Sequence, residues 1–154
     1  MAYKLNAGDQ IPSFKIKDHE GFELDSEDLL GSPFVLYFYP KDETPGCTAE
    51  ACSFRDNMDR LDGLDTLVIG VSPDSADSHA RFIQKHNLNF TLLCDENKEL
   101  SRKFDVLREN DKIERTTFVV DPQGVIQWIE RPVNVEGHTE RVIKAVMEMQ
   151  KTAP

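Results

Sequence analysis

The apolar run at residues 34–39 constrains the fold of this chain more than any other sequence feature. Its side chains are Phe, Val, Leu, Tyr, Phe and Tyr, which favour β-strands, and Pro40 ends the run. A strand with one solvent-facing side would place polar residues at every second position, and this run has none. The run therefore predicts a central strand that is buried on both faces.

Further strands and helices alternate along the chain. Residues 66–72 and 116–120 are apolar runs of the same kind, and residues 125–129 follow an Asp-Pro-Gln-Gly turn. Three other segments carry apolar side chains at helical spacing, with Ser75 and Thr139 as the expected N-caps of the second and third. These segments are residues 49–61, 75–86 and 139–150.

The N-terminal segment predicts a β-hairpin, because residues 14–17 and 22–24 alternate in polarity and flank the turn residues 18–21. Strands that alternate with helices, followed by a closing hairpin and helix, are typical of an α/β sandwich with a mixed sheet. The length fits one domain, residues 1–154. The pattern leaves the order of the strands open.

The charge and cysteine content limit the classes of function. A net charge of −10 argues against a nucleic-acid or anionic-membrane surface, since both need clustered Lys and Arg. No apolar run approaches the roughly 20 residues of a membrane span, and residues 1–11 lack the apolar segment of a secretory signal. Three cysteines are too few for a disulfide scaffold. We therefore expect a cytoplasmic protein in which any disulfide is transient.

Cys47 lies where a buried strand passes through a short loop into a helix. The first turn of a helix has unpaired N–H groups and the positive end of the helix dipole, which stabilise an anion. The pKa of a thiol is ordinarily about 8.5 and can fall by several units in such a place. More of the thiol is then present as thiolate, which is the nucleophile. The alternative is a small buried side chain at a helix start, which is the commoner case for an isolated cysteine.

The residues before Cys47 favour the reactive interpretation. Thr44 is three residues upstream, so its hydroxyl can reach the sulfur or a bound oxygen, cap the helix, or do both. Pro40 and Pro45 stiffen the loop and remove two N–H donors, which would shield a thiolate from water. From the sequence alone, the two prolines are explained equally well as ordinary turn and loop residues.

Cys52 is the first candidate for a disulfide partner of Cys47. Five positions on a regular helix separate the Cα atoms by about 8–9 Å, and a disulfide needs them within about 7 Å. The pair can therefore bond only if the first turns of the helix unwind, and in the reduced protein we expect Cys52 packed inside. A cysteine on the packed face of the helix without a redox role is the alternative.

Two other thiol chemistries fit the spacing poorly. A thioredoxin-type exchange motif would place its second cysteine at position 50, which is Glu50. A zinc site needs four ligands at compact spacing, which these residues do not supply: Cys47, Cys52, Cys94, His19, His79, His86 and His138. A protein disulfide oxidoreductase and a metal centre are therefore disfavoured, whereas a non-catalytic redox sensor with the same reactive thiol stays open.

The residues around Cys47 resemble the peroxiredoxins, and specifically the bacterioferritin comigratory protein subfamily. The pattern Pro-x-x-x-Thr-x-x-Cys stands at Pro40, Thr44 and Cys47, and it continues through Glu50 to Cys52. The similarity extends over nearly the whole chain and includes Gly8, Asp9, residues 70–74, His79, Phe82, Phe90, Leu92, Leu93, Asp95, Arg115, Thr117, Phe118, Asp121, Gly124, Gly137 and His138.

The resemblance implies a thioredoxin-like fold with an N-terminal extension. It implies that Cys47 attacks a peroxide and that Cys52 resolves the oxidised product within the same chain. Arg115 matches the family's active-site arginine, which would lower the pKa of the attacking thiol and hold a peroxide oxygen together with Thr44. Glu50 matches a position that orients this arginine, although a carboxylate near a helix start is equally consistent with its place.

The resemblance further implies a thiol peroxidase acting on hydrogen peroxide and organic hydroperoxides, with no metal or organic cofactor. We expect recycling by thioredoxin or a similar dithiol, and a monomer with a dimer as the alternative. Two features depart from the family pattern. The first is Cys94, which stands where relatives commonly carry Ser and is a second candidate for the resolving cysteine. The second is the segment of residues 106–114, which is shorter and more charged than in many relatives. We assign His138 a structural role at the start of the last helix.

Overall fold

The apolar run forms the middle strand of a five-stranded sheet. In the computed structural model, which describes residues 3–151, β3 (Phe34–Phe38) is buried along its whole length, as predicted. Its two neighbours are β4 (Leu67–Ser72), which is parallel to it, and β6 (Thr116–Val120), which is antiparallel. The edge strands are β5 (Thr91–Cys94) beside β4 and β7 (Ile126–Glu130) beside β6, so the sheet is mixed.

Alternate side chains of β3 enter two hydrophobic cores on opposite faces of the sheet. Phe34, Leu36 and Phe38 belong to one core, and Val35 and Tyr37 belong to the other. Because neighbouring strands match this alternation, each face of the sheet presents a continuous apolar surface. This explains why the run lacks polar residues.

Helices cover the two faces unequally. The face that contains Val35 and Tyr37 packs against α1 (Pro45–Asp56), α2 (Met58–Asp62), α3 (Ala76–His86) and α5 (His138–Lys151). The opposite core is closed by α4 (Glu99–Lys103), a 3-10 helix (Ser26–Leu29) and the N-terminal segment. This arrangement confirms the predicted α/β sandwich. Among the helices within residues 3–151, none is long and apolar enough to cross a membrane.

The predicted N-terminal hairpin is present. β1 (Lys15–Lys17) pairs antiparallel with β2 (Glu23–Asp25). An isolated bridge between Asp18 and Leu93 connects the hairpin to the edge strand β5. The hairpin is therefore a separate two-stranded sheet beside the main one.

The predicted helix at residues 49–61 differs from the structure in both its start and its continuity. α1 begins at Pro45, because proline at a first helical position has a suitable φ and no N–H to satisfy. The helix is then interrupted at Asn57 (φ −115°, ψ 9°), and α2 follows separately. The Asn57 side chain donates to the Ser53 carbonyl, and such local bonds compete with regular helix hydrogen bonding.

The other helix predictions are partly confirmed. Ser75 caps α3, as expected, by accepting a hydrogen bond from the Ser78 N–H. The prediction that Thr139 caps the last helix is wrong, because α5 begins at His138 and Thr139 is inside its first turn. The Thr139 hydroxyl instead shares a 2.6 Å hydrogen bond with the Ser53 hydroxyl on α1. The short α4 and the 3-10 helix have no strong periodicity and were not predicted.

Candidate active site

Cys47 is the third residue of α1, and only 1% of its surface is exposed. It packs in the core that contains Tyr37 and Phe54, whose rings stack with their centroids 4.8 Å apart. The first turn of α1 has no acidic side chain. The positive end of the helix dipole therefore acts on the sulfur without a competing carboxylate in that turn.

Arg115 lies against the start of the same helix. A Cβ placed on Gly46 would be 2.9 Å from the Arg115 Nη2, so the guanidinium packs on the backbone of the residue before Cys47. The sheet register accounts for this position. β6 is antiparallel to β3 and pairs Thr116 with Phe38, which brings the start of β6 to the end of β3 where the loop to α1 begins.

Glu50 contacts Arg115 from one turn further along α1. The Arg115 Nη1 donates to the Glu50 Oε1 at 3.4 Å, and Glu50 is 1% exposed. Burial raises the pKa of the Glu50 carboxyl to about 8, although Arg115 acts to lower it. The contact expected between the glutamate and the arginine is therefore present, but the carboxyl has a strong tendency to keep its proton.

His138 reaches the other oxygen of the same carboxyl. Its Nδ1 lies 3.4 Å from the Glu50 Oε2, and its ring packs edge to face on Phe54 with centroids 5.4 Å apart. The residue is 1% exposed, and burial lowers the pKa of its imidazole to about 4. Its place at the start of α5 agrees with our assignment, but its contact with Glu50 was not foreseen, because no local pattern links positions so far apart.

The loop between β3 and α1 is held by a buried hydrogen-bond network around Asp42. The Asp42 Oδ1 accepts from the Tyr39 hydroxyl at 2.6 Å, and its Oδ2 accepts from the Ser78 hydroxyl at 2.9 Å. The His79 Nδ1 lies 2.7 Å from the same Oδ2, and its Nε2 lies 2.9 Å from the Leu93 carbonyl oxygen. Both ring nitrogens thus face acceptors. This network fixes the loop that leads to Cys47.

The cluster of Asp42, Asp74 and His79 brings three potential metal-binding atoms within 4.8 Å of one another. These atoms already take part in the protein's own hydrogen bonds. The Asp74 Oδ2 accepts from the Asp42 N–H and from the Ser72 hydroxyl. The cluster is accordingly built as a structural network around the loop.

Thr44 and Pro40 take less direct positions than the sequence suggested. Thr44 is the N-cap residue of α1, but its side chain makes no cap hydrogen bond. Its hydroxyl donates instead to the Lys41 carbonyl at 3.2 Å, so its proton is not directed at the Cys47 sulfur. Pro40 is exposed in the loop, two residues beyond the end of β3.

All three cysteines are free thiols. Cys52 lies on α1 with Cys47 and is half-buried, so the expectation that it is packed inside is only partly met. Cys94 ends β5, where its Sγ lies 3.6 Å from the Asp18 carbonyl oxygen. Burial, followed by nearby carboxylates such as Glu96, raises the pKa of the Cys94 thiol to about 11.

The mixed sheet with helices on both faces has the architecture of the thioredoxin-like class, and a buried cysteine lies at the start of α1 with Arg115 packed on the preceding residue. A sequence profile described as the AhpC/TSA family matches residues 7–129. The chain belongs to this family.

Curated proteins with similar sequences are peroxiredoxins of the bacterioferritin comigratory protein type. "Putative peroxiredoxin bcp" of Coxiella burnetii is 41% identical over 146 residues, covering 90% of this chain and 97% of that protein. "Peroxiredoxin Bcp" of Bacillus subtilis is 40% identical over 156 residues, with coverage of 96% and 98%. This relationship identifies the chain as a thiol peroxidase.

Solved structures of the same type share the fold. The bacterioferritin comigratory protein of Xanthomonas campestris has a TM-score of 0.88 and 32% identity, covering 94% of this chain and 99% of that one. PrxQ of Xylella fastidiosa has a TM-score of 0.92 and 30% identity, with coverage of 97% and 99%. The similarity confirms the thioredoxin-like sandwich.

Proposed function

We propose that Cys47 is the peroxidatic cysteine of this thiol peroxidase, assisted by Arg115 and the first-turn N–H groups of α1. The observation that carries the proposal is the packing of the Arg115 guanidinium on Gly46, beside the sulfur-bearing residue. An arginine and a helix N-terminus at one point stabilise the thiolate and the negative charge that develops on a peroxide oxygen. The buried setting strengthens both effects, because little water competes for the charges.

The first step is a nucleophilic displacement on oxygen. The Cys47 thiolate attacks one peroxide oxygen, the S–O bond forms, and the O–O bond breaks. The sulfur is oxidised to a sulfenic acid, and the other oxygen leaves as alkoxide or hydroxide and takes a proton to become alcohol or water. Thr44 is proposed to assist by presenting its hydroxyl oxygen at the same site, and Pro40 by limiting the conformations of the loop.

The second step is resolution by Cys52. Its thiol displaces water from the Cys47 sulfenic acid, which forms an S–S bond and completes the two-electron oxidation of the pair. Both residues lie on α1, so the first turns of the helix must unwind before the sulfurs can meet. Cys94 is a poorer candidate, because a thiol with a pKa raised to about 11 is almost entirely protonated at neutral pH.

The disulfide is then reduced by an external dithiol. We infer that thioredoxin or a similar protein supplies it, acting in the cytoplasm on a monomer, with a dimer as the alternative. No contact with nucleic acid or membrane is proposed. The Xanthomonas campestris relative is described as having alkyl peroxide reduction activity, which supports organic hydroperoxides as substrates beside hydrogen peroxide.

The proposal is tested by comparing Cys47→Ser with Cys94→Ser in a peroxide-consumption assay coupled to thioredoxin and its reductase. Cys47→Ser should lose turnover completely, because no thiolate remains at the helix start. Cys94→Ser should keep wild-type turnover and serves as the matched control. Turnover retained by Cys47→Ser would remove that residue from the peroxidatic role.

A further inference from the structure

We propose that Arg55 is a positioning residue for the resolution step, because it holds the last turn of α1 in place. The helix then unwinds from its start, and oxidised Cys47 moves to a stationary Cys52. The proposal rests on the resolving role inferred above for Cys52 and specifies which of the two sulfurs travels. The chemistry is unchanged: the S–S bond forms, the S–O bond of the sulfenic acid breaks, and water leaves.

Arg55 ties the end of α1 to the end of α3. Its Nη1 donates to the His86 carbonyl at 2.6 Å. His86 is the last residue of α3, so this carbonyl is one of the four at the end of a helix that lack an intrahelical partner, where the helix dipole favours a cation. The Asn89 Nδ2 donates in turn to the Arg55 carbonyl at 3.4 Å. Both the side chain and the backbone of Arg55 are thus bonded to the segment in which α3 ends.

The two residues before the arginine are attached to other parts of the fold. The Ser53 hydroxyl shares a 2.6 Å hydrogen bond with the Thr139 hydroxyl on α5. Phe54 is fully buried, and its ring stacks on that of Tyr37 on the central strand. The three residues that directly follow Cys52 are therefore fixed to three different elements, α5, β3 and α3.

The start of α1 is less firmly built. Gly46, Cys47 and Thr48 all have a lower helix propensity than alanine or leucine. The N-cap residue Thr44 makes no side-chain hydrogen bond to the first turn. Oxidation also makes the Cys47 sulfur more polar, which reduces the advantage of its apolar surroundings. The unwinding that the disulfide requires should therefore begin at the start of α1 and stop at the anchored last turn.

The difference between the two ends determines where the disulfide forms. Cys47 is 1% exposed, whereas Cys52 is only partly buried. Once unwound, the chain between them can extend to about 17 Å, which is ample for the Cys47 sulfur to reach Cys52. A disulfide at the place of Cys52 is open to an external dithiol, whereas one at the place of Cys47 would be enclosed in the core. The anchor at Arg55 thereby keeps the oxidised protein reducible.

The first test is NMR of the wild-type protein with ¹⁵N-labelled arginine, before and after the disulfide forms. The Arg55 guanidinium resonances should keep their positions, because their neighbours do not change. The Arg115 resonances should shift, because Gly46 and Glu50 move away from that guanidinium. Arg55→Lys and Arg115→Lys assign the two sets of signals. Arg55 resonances that move to the position of an unstructured arginine in the disulfide form would overturn the proposal.

The second test compares the loss of helical circular dichroism on oxidation. Arg55→Met keeps the apolar stem without the donor, and in the reduced state its spectrum should match that of wild type. On oxidation its loss should be about 1.5-fold larger, because all 12 residues of α1 unwind rather than those up to Cys52. Arg60→Met, which removes an exposed pair with Glu140 from α2, is the matched control and should show the wild-type loss.

Equal losses in Arg55→Met and wild type would overturn the proposal, because a purely structural role lowers the stability of both redox forms without changing this difference. Peptide mapping of the same oxidised samples separates this result from a failure of the resolving role. A Cys47–Cys52 bond together with a released Arg55 overturns the positioning role alone. A bond from Cys47 to Cys94 removes the resolving role of Cys52 and the positioning role with it.

Discussion

The Arg115 guanidinium packs so closely on Gly46 that there is no room for a side chain at position 46. A Cβ there would lie 2.9 Å from the Arg115 Nη2 and 3.4 Å from its Cζ. The glycine is part of a helix and has an ordinary backbone conformation, so its small size is needed for the close approach of the guanidinium rather than for a turn.

Gly46→Ala should therefore displace the Arg115 guanidinium while leaving the fold intact, because the obstructing atom is the end of a flexible side chain. We expect the single-turnover oxidation of Cys47 to slow by roughly 10- to 100-fold, as a misplacement of about 1 Å can do. Gly63→Ala is the control, since its Cβ would meet only atoms at 3.4 Å and lies away from the site. Equal rates for the two variants would mean that the contact has no catalytic consequence.

Arg115→Ala removes the guanidinium itself. The oxidation of Cys47 by peroxide should slow by on the order of 10²-fold, because a charge-stabilising donor is lost from the reacting oxygen. Rapid mixing with hydrogen peroxide, followed by alkylation and mass analysis, measures the rate. Arg81→Ala, which changes an exposed arginine on α3, should react at the wild-type rate. A wild-type rate in Arg115→Ala would contradict the role given to this residue.

Glu50→Gln should change the pH dependence of stability. The folded protein holds the Glu50 proton to about pH 8, whereas the unfolded chain releases it near the ordinary value of 4.5. The native state then binds more protons, so burial of Glu50 costs progressively more as pH rises through this window. The free energy of unfolding of Glu50→Gln, relative to wild type, should therefore increase from pH 4.5 to 8 and level off above.

Denaturant unfolding at several pH values measures this difference. Glu148→Gln, on the exposed surface of α5, should run parallel to wild type over the same range. A constant difference between Glu50→Gln and wild type would show that the carboxyl is not protonated in the folded protein.

His79→Phe should destabilise the protein by about 1–3 kcal/mol, since the buried Asp42 side chain loses the hydrogen-bond partner that the His79 Nδ1 provides. Glu43 lies on the same loop and forms exposed pairs with Lys85 and His86 on α3. Glu43→Gln weakens these pairs and should lower the free energy of unfolding by less than about 1 kcal/mol. Urea unfolding of both variants provides the comparison. Similar costs for the two would mean that the Asp42 network does not hold the loop.

The disulfide formed after one equivalent of peroxide should join Cys47 to Cys52. Peptide mapping by mass spectrometry identifies the pair directly. Cys52→Ser should still oxidise once at Cys47 but should lose cycling with thioredoxin. A bond from Cys47 to Cys94, or unimpaired cycling in Cys52→Ser, would transfer the resolving role.

Most of the strands were predictable, because apolar or alternating runs mark them and the short helices lack such a signal; β5, which is four residues long, was not predicted. Residues 34–39 specify a doubly covered strand by themselves, whereas α4 is five residues long and has no periodicity to detect. The interruption at Asn57 was missed because the apolar spacing continues through it. The local conformation there depends on the Asn57 side chain, which bonds to the helix backbone.

The site was predictable to the extent that its residues lie in one continuous segment or match a family pattern. Cys47 and the preceding loop meet both conditions, and Arg115 meets the second. The contact between Glu50 and His138 meets neither condition, because it depends on how α5 packs on α1. A sequence assigns each of these side chains to a helix but does not indicate that they meet.

The interruption at Asn57 has a thermodynamic consequence for the redox couple. It separates α1 from α2, so unwinding of α1 need not extend into α2. If the Cys47–Cys52 disulfide forms only when α1 opens, the stability of α1 favours the dithiol, in which the helix is intact. The reduction potential of the pair is then set by one helix of the domain: a substitution that stabilises α1 makes the disulfide a stronger oxidant, and one that weakens α1 makes it harder to reduce.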